Sequence, residues 1–240
     1  MTQCSVRITE GIKSIYKMAK IGKLNNGGCR RLAFSYEDFK AKKLLINWCT
    51  EIGLNVSMDP IGNLFAELKG KFKKNESIGI GSHLDTQPHG GKFDGAYGVL
   101  AGLEVIRTLV DNNIVPPKSI KLINWSNEEG CRFTPPLMGS SVYAKSIKLN
   151  HALKTLDKNH LKIENELQKK FPQDIKKIFN HKLESFIEIH IEQGPILEKS
   201  KKCLKSTAFN AFKASIKQLI NSKRLSKSEK YFLKNLSHLL

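Results

Sequence analysis

The chain predicts an α/β fold: a sheet flanked by helices. Three observations predict it. Short apolar runs at residues 77–82 and 119–125 read as buried strands. Between them Val99, Leu103, Ile106 and Val110 recur at helical spacing. Polar residues of ligand type fall just past both runs, where open α/β sheets place their sites. Strands alternating with helices close on themselves by covering the sheet faces.

The elements follow in order. Ser35 with Asp38 three residues later is a helix-start signal. Ala41, Leu45, Trp48 and Ile52 then mark an amphipathic helix over 36–52, ended by Gly53. Residues 55–58 and 63–68 read as short strands either side of an Asp59-Pro60-Ile61-Gly62 turn. The strand at 77–82 runs into His83, and a glycine-rich loop leads to the helix carrying Val99. Pro116-Pro117 breaks the chain before the strand at 119–125, and 126–130 forms the loop at its end. Residues 151–180 read as largely helical, polar and lysine-rich, with a break at Phe171-Pro172. Residues 186–191 read as a further strand, with His190 near its end.

A chain of 240 residues is long enough to bury a substantial core. No run approaches a membrane span, and the N-terminus has no apolar leader segment, so neither a membrane nor secretion is expected. Five widely spaced cysteines without a CxxC point to reduced thiols in a cytoplasm. The net charge of +18 raises nucleic acid as a partner. However, only Arg7, Arg30, Arg31, Arg107, Arg132 and Arg224 are arginines among 40 basic residues. The dispersed lysines are read as solvated faces, and no nucleic-acid partner is expected. Charge is uneven: residues 199–240 carry eleven basic side chains against Glu229 alone. A boundary is therefore placed there, with a partial catalytic domain at 1–198 and a basic helical tail at 199–240.

Chemistry concentrates in three segments, 81–95, 127–130 and 190–194. His83-Leu84-Asp85 is an H-x-D at a strand end, where one side chain ligates while the other orients it. Asp94 lies in the glycine-flanked run Gly90-Gly91-Lys92-Phe93-Asp94-Gly95. Glu128-Glu129 follows an apolar strand and precedes Gly130; one acid can bind metal while its neighbour moves a proton. His190 closes an apolar run. Each element alone has a bland explanation as a turn residue, a solvated acid or a core histidine. Together they supply the donors of a metal-dependent hydrolase.

The combination resembles the M20 metallopeptidase superfamily, in its amidase (hydantoinase/carbamoylase) branch. That branch includes N-carbamoyl-L-amino-acid hydrolases and allantoate amidohydrolases. The matching text is Gly81-Ser82-His83-Leu84-Asp85-Thr86, Gly90 to Gly95, Asn127-Glu128-Glu129-Gly130, Met138-Gly139-Ser140 and His190-Ile191-Glu192-Gln193-Gly194-Pro195. The resemblance implies that His83 and His190 bind one metal, that Asp94 bridges two, and that Glu129 binds the second. It implies Glu128 as general base, Asp85 as the group orienting His83, and Gln193 as a substrate contact. The implied cofactors are two divalent ions, zinc or manganese, and the implied substrate is a small linear amide or ureide.

The resemblance also implies a lid and dimerisation domain after Glu198, then a return to the sheet with one more histidine ligand. Here Lys199-Ser200-Lys201-Lys202 follows instead. The expectation is an incomplete catalytic domain without the lid or homodimer interface, holding one metal firmly and turning over weakly or not at all. The alternative is a non-catalytic remnant or a metal-binding protein without turnover.

Overall fold

The structure is a computed structural model and describes residues 8–72, 77–170, 176–177, 182–199 and 201. The chain divides into two compact units, one ending at His190 and the other containing Ile191 onward. In the first unit the order is α1 (Ile8–Ala19), α2 (Tyr36–Glu51), β1 (Asn55–Met58), β2 (Leu64–Leu68), β3 (Ser77–His83), α3 (Ala96–Asp111), β4 (Ile120–Trp125), α4 (Met138–Tyr143), α5 (Leu149–Leu153), α6 (Ile163–Lys170), β5 (Lys176–Lys177) and β6 (Leu183–Ile187). The sheet order is β5-β1-β2-β4-β3-β6. β1 and β2 form an antiparallel hairpin, β2 runs antiparallel to β4, and β4, β3 and β6 are mutually parallel.

Local sequence explains the helix start and the hairpin. The Ser35 hydroxyl accepts the Asp38 N–H and caps α2. In the hairpin turn Asp59 Oδ1 accepts the N–H groups of Ile61 and Asn63, at 3.2 and 2.9 Å. Alternation then sorts side chains between the two sheet faces. Leu64, Ala66, Ile120 and Leu122 pack with Leu45, Trp48, Val99 and Leu103 of α2 and α3. Phe65, Ile123 and Trp125 face the other way, with Tyr143 against them. Full burial of each such aliphatic or aromatic side chain contributes about 1.5–3 kcal/mol. Among the described residues no helix is long and apolar enough to cross a membrane.

Two expectations are corrected. Among the described residues of 151–180, the chain is not one run of helix. α5 and α6 are separated by a turn in which Asp157 Oδ1 accepts the N–H groups of Asn159 and Leu161, at 2.9 and 3.0 Å. Those side-chain bonds compete with helical ones. Lys176–Lys177 pair with β1 as an edge strand; Phe171-Pro172 lies outside the described residues.

The last strand is shorter and earlier than 186–191. β6 ends at Ile187, opposite Ile80. Beyond it the ladder gives way to a side-chain bond from Ser82 Oγ to Glu188 Oε1 at 2.5 Å. The Ile189 carbonyl instead lies against Gly98, where a Cβ would stand 2.4 Å from that oxygen. The expected tail at 199–240 lies outside the described residues except for Lys199 and Lys201.

Candidate metal centre

Three elements deliver the site. β3 ends on His83, the loop before α3 carries Asp94, and the segment after β6 carries His190. One ligand atom from each of His83, Asp94 and His190 lies within 4.8 Å of the others. His190 Nε2 stands 3.3 Å from Asp94 Oδ1. The two imidazoles stack with centroids 5.8 Å apart and an interplanar angle of 27°. Gly95 makes the approach possible: its φ is +61°, and a Cβ there would lie 2.4 Å from the His83 ring.

His83 is buried and its tautomer is set. Nδ1 lies 2.9 Å from the Asp85 carbonyl oxygen, so it carries the proton and donates. Nε2 is then the acceptor nitrogen. It is buried without a hydrogen-bond partner and sits 3.3 Å from Glu128 Oε2. A histidine that donates through one nitrogen to a carbonyl and turns the other toward a carboxylate is oriented to ligate a cation there in its neutral form.

Asp85 therefore touches His83 with its main chain, and its carboxylate stands farther off, with Oδ1 at 3.9 Å from Nδ1. The carboxylate faces the other loop. Oδ1 accepts the Glu128 N–H and Oδ2 the Glu129 N–H, each at 3.2 Å. Burial pushes the Asp85 carboxyl up to about 6, against the His83 ring, which lowers it.

Glu128 reaches the cluster; Glu129 does not join it. The Glu129 carboxylate accepts the Gln87 side-chain N–H at 2.5 Å, and its Oε1 is buried without a partner. Desolvation raises the Glu128 pKa, helped by Glu129 and Glu188 and opposed by His83 and His190. Burial lowers the His83 pKa, but Asp85, Glu128 and Glu129 outweigh it and hold the ring above the usual histidine range. The surplus of carboxylates over imidazoles fits a site built for a cation. Gln193 lies in the second unit, in a left-handed conformation with φ 56°. Gln87 and Glu188 carry no sequence signal of a role, since only their tertiary neighbours show them at the site.

The sequence model of peptidase family M20/M25/M40 matches residues 79–231. The chain belongs to this family. Within it the chain is similar to an N-carbamoyl-L-amino-acid amidohydrolase of Rhizobium meliloti, at 40% identity over 79% of this chain and 45% of the relative. It is also similar to an allantoate amidohydrolase of Bacillus subtilis, at 31% identity over 76% of this chain and 45% of the relative. Among solved structures it resembles a hydantoinase/carbamoylase family amidase from Burkholderia ambifaria, with a TM-score of 0.78 and 40% identity over 83% of this chain and 49% of that one. The chain thus spans about half the length of the M20 relatives it matches.

Proposed function

We propose that this chain supplies metal ligands and the proton-transfer group of a metal-dependent amidohydrolase, acting on C–N bonds of linear amides or ureides such as N-carbamoyl amino acids or allantoate. The convergence of His83, Asp94 and His190, with Glu128 beside them, carries the reading. M20 proteins are metal-dependent, and the buried, partnerless Nε2 of His83 fits a divalent cation. His83, Asp94 and His190 would hold one ion. Asp94 and Glu129 would contribute to a second. Mixed imidazole and carboxylate donors suit zinc or manganese.

A bound divalent ion lowers the pKa of water and polarises a carbonyl oxygen. Glu128 takes the proton from the water that attacks the ureido or amide carbon and returns it to the leaving nitrogen. Asp85 holds His83 through its carbonyl and the Glu128-Glu129 backbone through its carboxylate. Gln193 would contact substrate. The free thiols of Cys29, Cys49 and Cys131 support a reducing, cytoplasmic setting.

The test is metal analysis of the purified chain, joined to hydrolysis assays on N-carbamoyl amino acids and allantoate. Zinc or manganese that copurifies and is lost in His83→Ala and His190→Ala supports the reading. A chain that takes up neither metal overturns it. Metal uptake without hydrolysis would assign this chain metal binding alone.

A further inference from the structure

Lys42 of α2 is buried, with a side chain 2% exposed, and the chemistry above makes no use of it. Its Nζ lies 3.2 Å from Asp38 Oδ2, one helical turn back, and donates to Ser126 Oγ at 2.9 Å. An ammonium is a donor only, so the Ser126 hydroxyl accepts from Lys42 and donates its own proton to the Gly62 carbonyl, at 2.6 Å. The Ser126 main chain is held as well. Its N–H donates to Asn63 Oδ1 and its carbonyl accepts the Gly139 N–H, both at 2.9 Å.

Ser126 is thus gripped from α2, the β1–β2 turn and α4. The next residue, Asn127, turns the chain through a left-handed φ of 53°. Glu128 and Glu129 follow at once. A buried ammonium is costly unless paired and hydrogen-bonded, and here both conditions are met at the root of the acidic loop.

We infer that Lys42 is a positioning residue for the paired acids. It fixes the Ser126 hydroxyl and, through it, the direction in which Asn127-Glu128-Glu129 leaves β4. What the acids do rests on the function proposed above; the anchoring itself requires neither metal nor substrate.

The experiment is native-state hydrogen exchange on the full metal-free chain, comparing wild type, Lys42→Met, Ser126→Ala and the double variant. The Glu128 and Glu129 amides report directly, because each is bonded to Asp85. Each single variant should exchange at these amides at least about tenfold faster, the loss expected for one charge-assisted hydrogen bond. The double variant should add nothing further, because both changes break one chain of bonds. The Ile80 and Leu122 amides in the sheet should stay within about twofold of wild type. Where Lys42→Met does not fold, Ser126→Ala alone decides. Unchanged exchange at Glu128 and Glu129 in folded Ser126→Ala, multiplicative effects in the double variant, or an equal loss of protection across the sheet overturns the inference. Failure of the wild type to bind zinc would defeat the proposed function and leave this result standing, so the two failures are separable.

Discussion

Glu129 donates its backbone N–H to Asp85 Oδ2 at 3.2 Å, and Glu128 does the same to Oδ1. One buried carboxylate thereby ties the end of β3 to the loop after β4. The His83 ring is held separately, by the Asp85 carbonyl.

Replacing Asp85 by Asn would present a donor N–H to one of these two amide N–H groups. We expect a loss of stability of about 1–3 kcal/mol, the usual effect of leaving a buried donor unpaired. The carbonyl contact to His83 is untouched, so zinc uptake at the His83–Asp94–His190 cluster should survive. Denaturant unfolding and zinc titration check this. Unaltered stability would show that the carboxylate does not brace the loop.

The two adjacent acids should separate by function. Glu128→Gln should leave the number of bound metals unchanged, and in an assay with turnover it should lower the rate by about 10²–10⁴-fold, the range for a lost general base. Glu129→Gln should instead weaken one metal. Equal loss of metal in both variants, measured by elemental analysis, would count against this division.

Gly95→Ala places a Cβ against the His83 ring and forces φ +61° on a residue that disfavours it. The backbone strain alone costs about 1–3 kcal/mol. Because the ring must also move, zinc affinity should fall together with stability. A variant that melts like wild type and binds zinc equally would show that His83 has room the structure does not give it.

Asp59 makes stability depend on pH. Burial pushes its carboxyl from 3.8 up to about 6, against opposing bonds from Asn63 and Ile61. In the folded chain the proton is therefore retained to about pH 6, whereas the unfolded chain releases it near 3.8. Its contribution is fully present below the unfolded value and is lost as pH rises through the folded one. Unfolding free energies measured from pH 4 to 7 should show this fall, and Asp59→Asn should flatten it. An identical slope in the variant would assign the pH dependence to other groups.

Much of the first unit was legible from residues alone. Ser35 and Asp38 announce α2, Asp59 to Gly62 announce the hairpin, and the apolar runs before His83 and after Pro117 announce β3 and β4. These features depend on bonds and periodicities within a few residues, which any window of sequence contains. The ligand types of the cluster were legible for the same reason, as His83 stands at the end of an apolar strand, Asp94 in a glycine-flanked loop and His190 at the end of an apolar run.

Other features depend on residues far apart in the chain, which no local pattern encodes. β6 stops at Ile187, and the Ile189 carbonyl lies against Gly98 of α3. Asp85 points its carboxylate at two amides more than 40 residues ahead, and meets His83 with its carbonyl instead. Glu129 turns toward Gln87, outside the His83–Asp94–His190 cluster. Lys42 reads as one more lysine on an amphipathic helix, yet it is buried against Ser126, 84 residues later. The placements of Asp85 and Lys42 are set by which long-range partner satisfies a buried polar group, and packing the sheet against its helices is what brings those partners within reach.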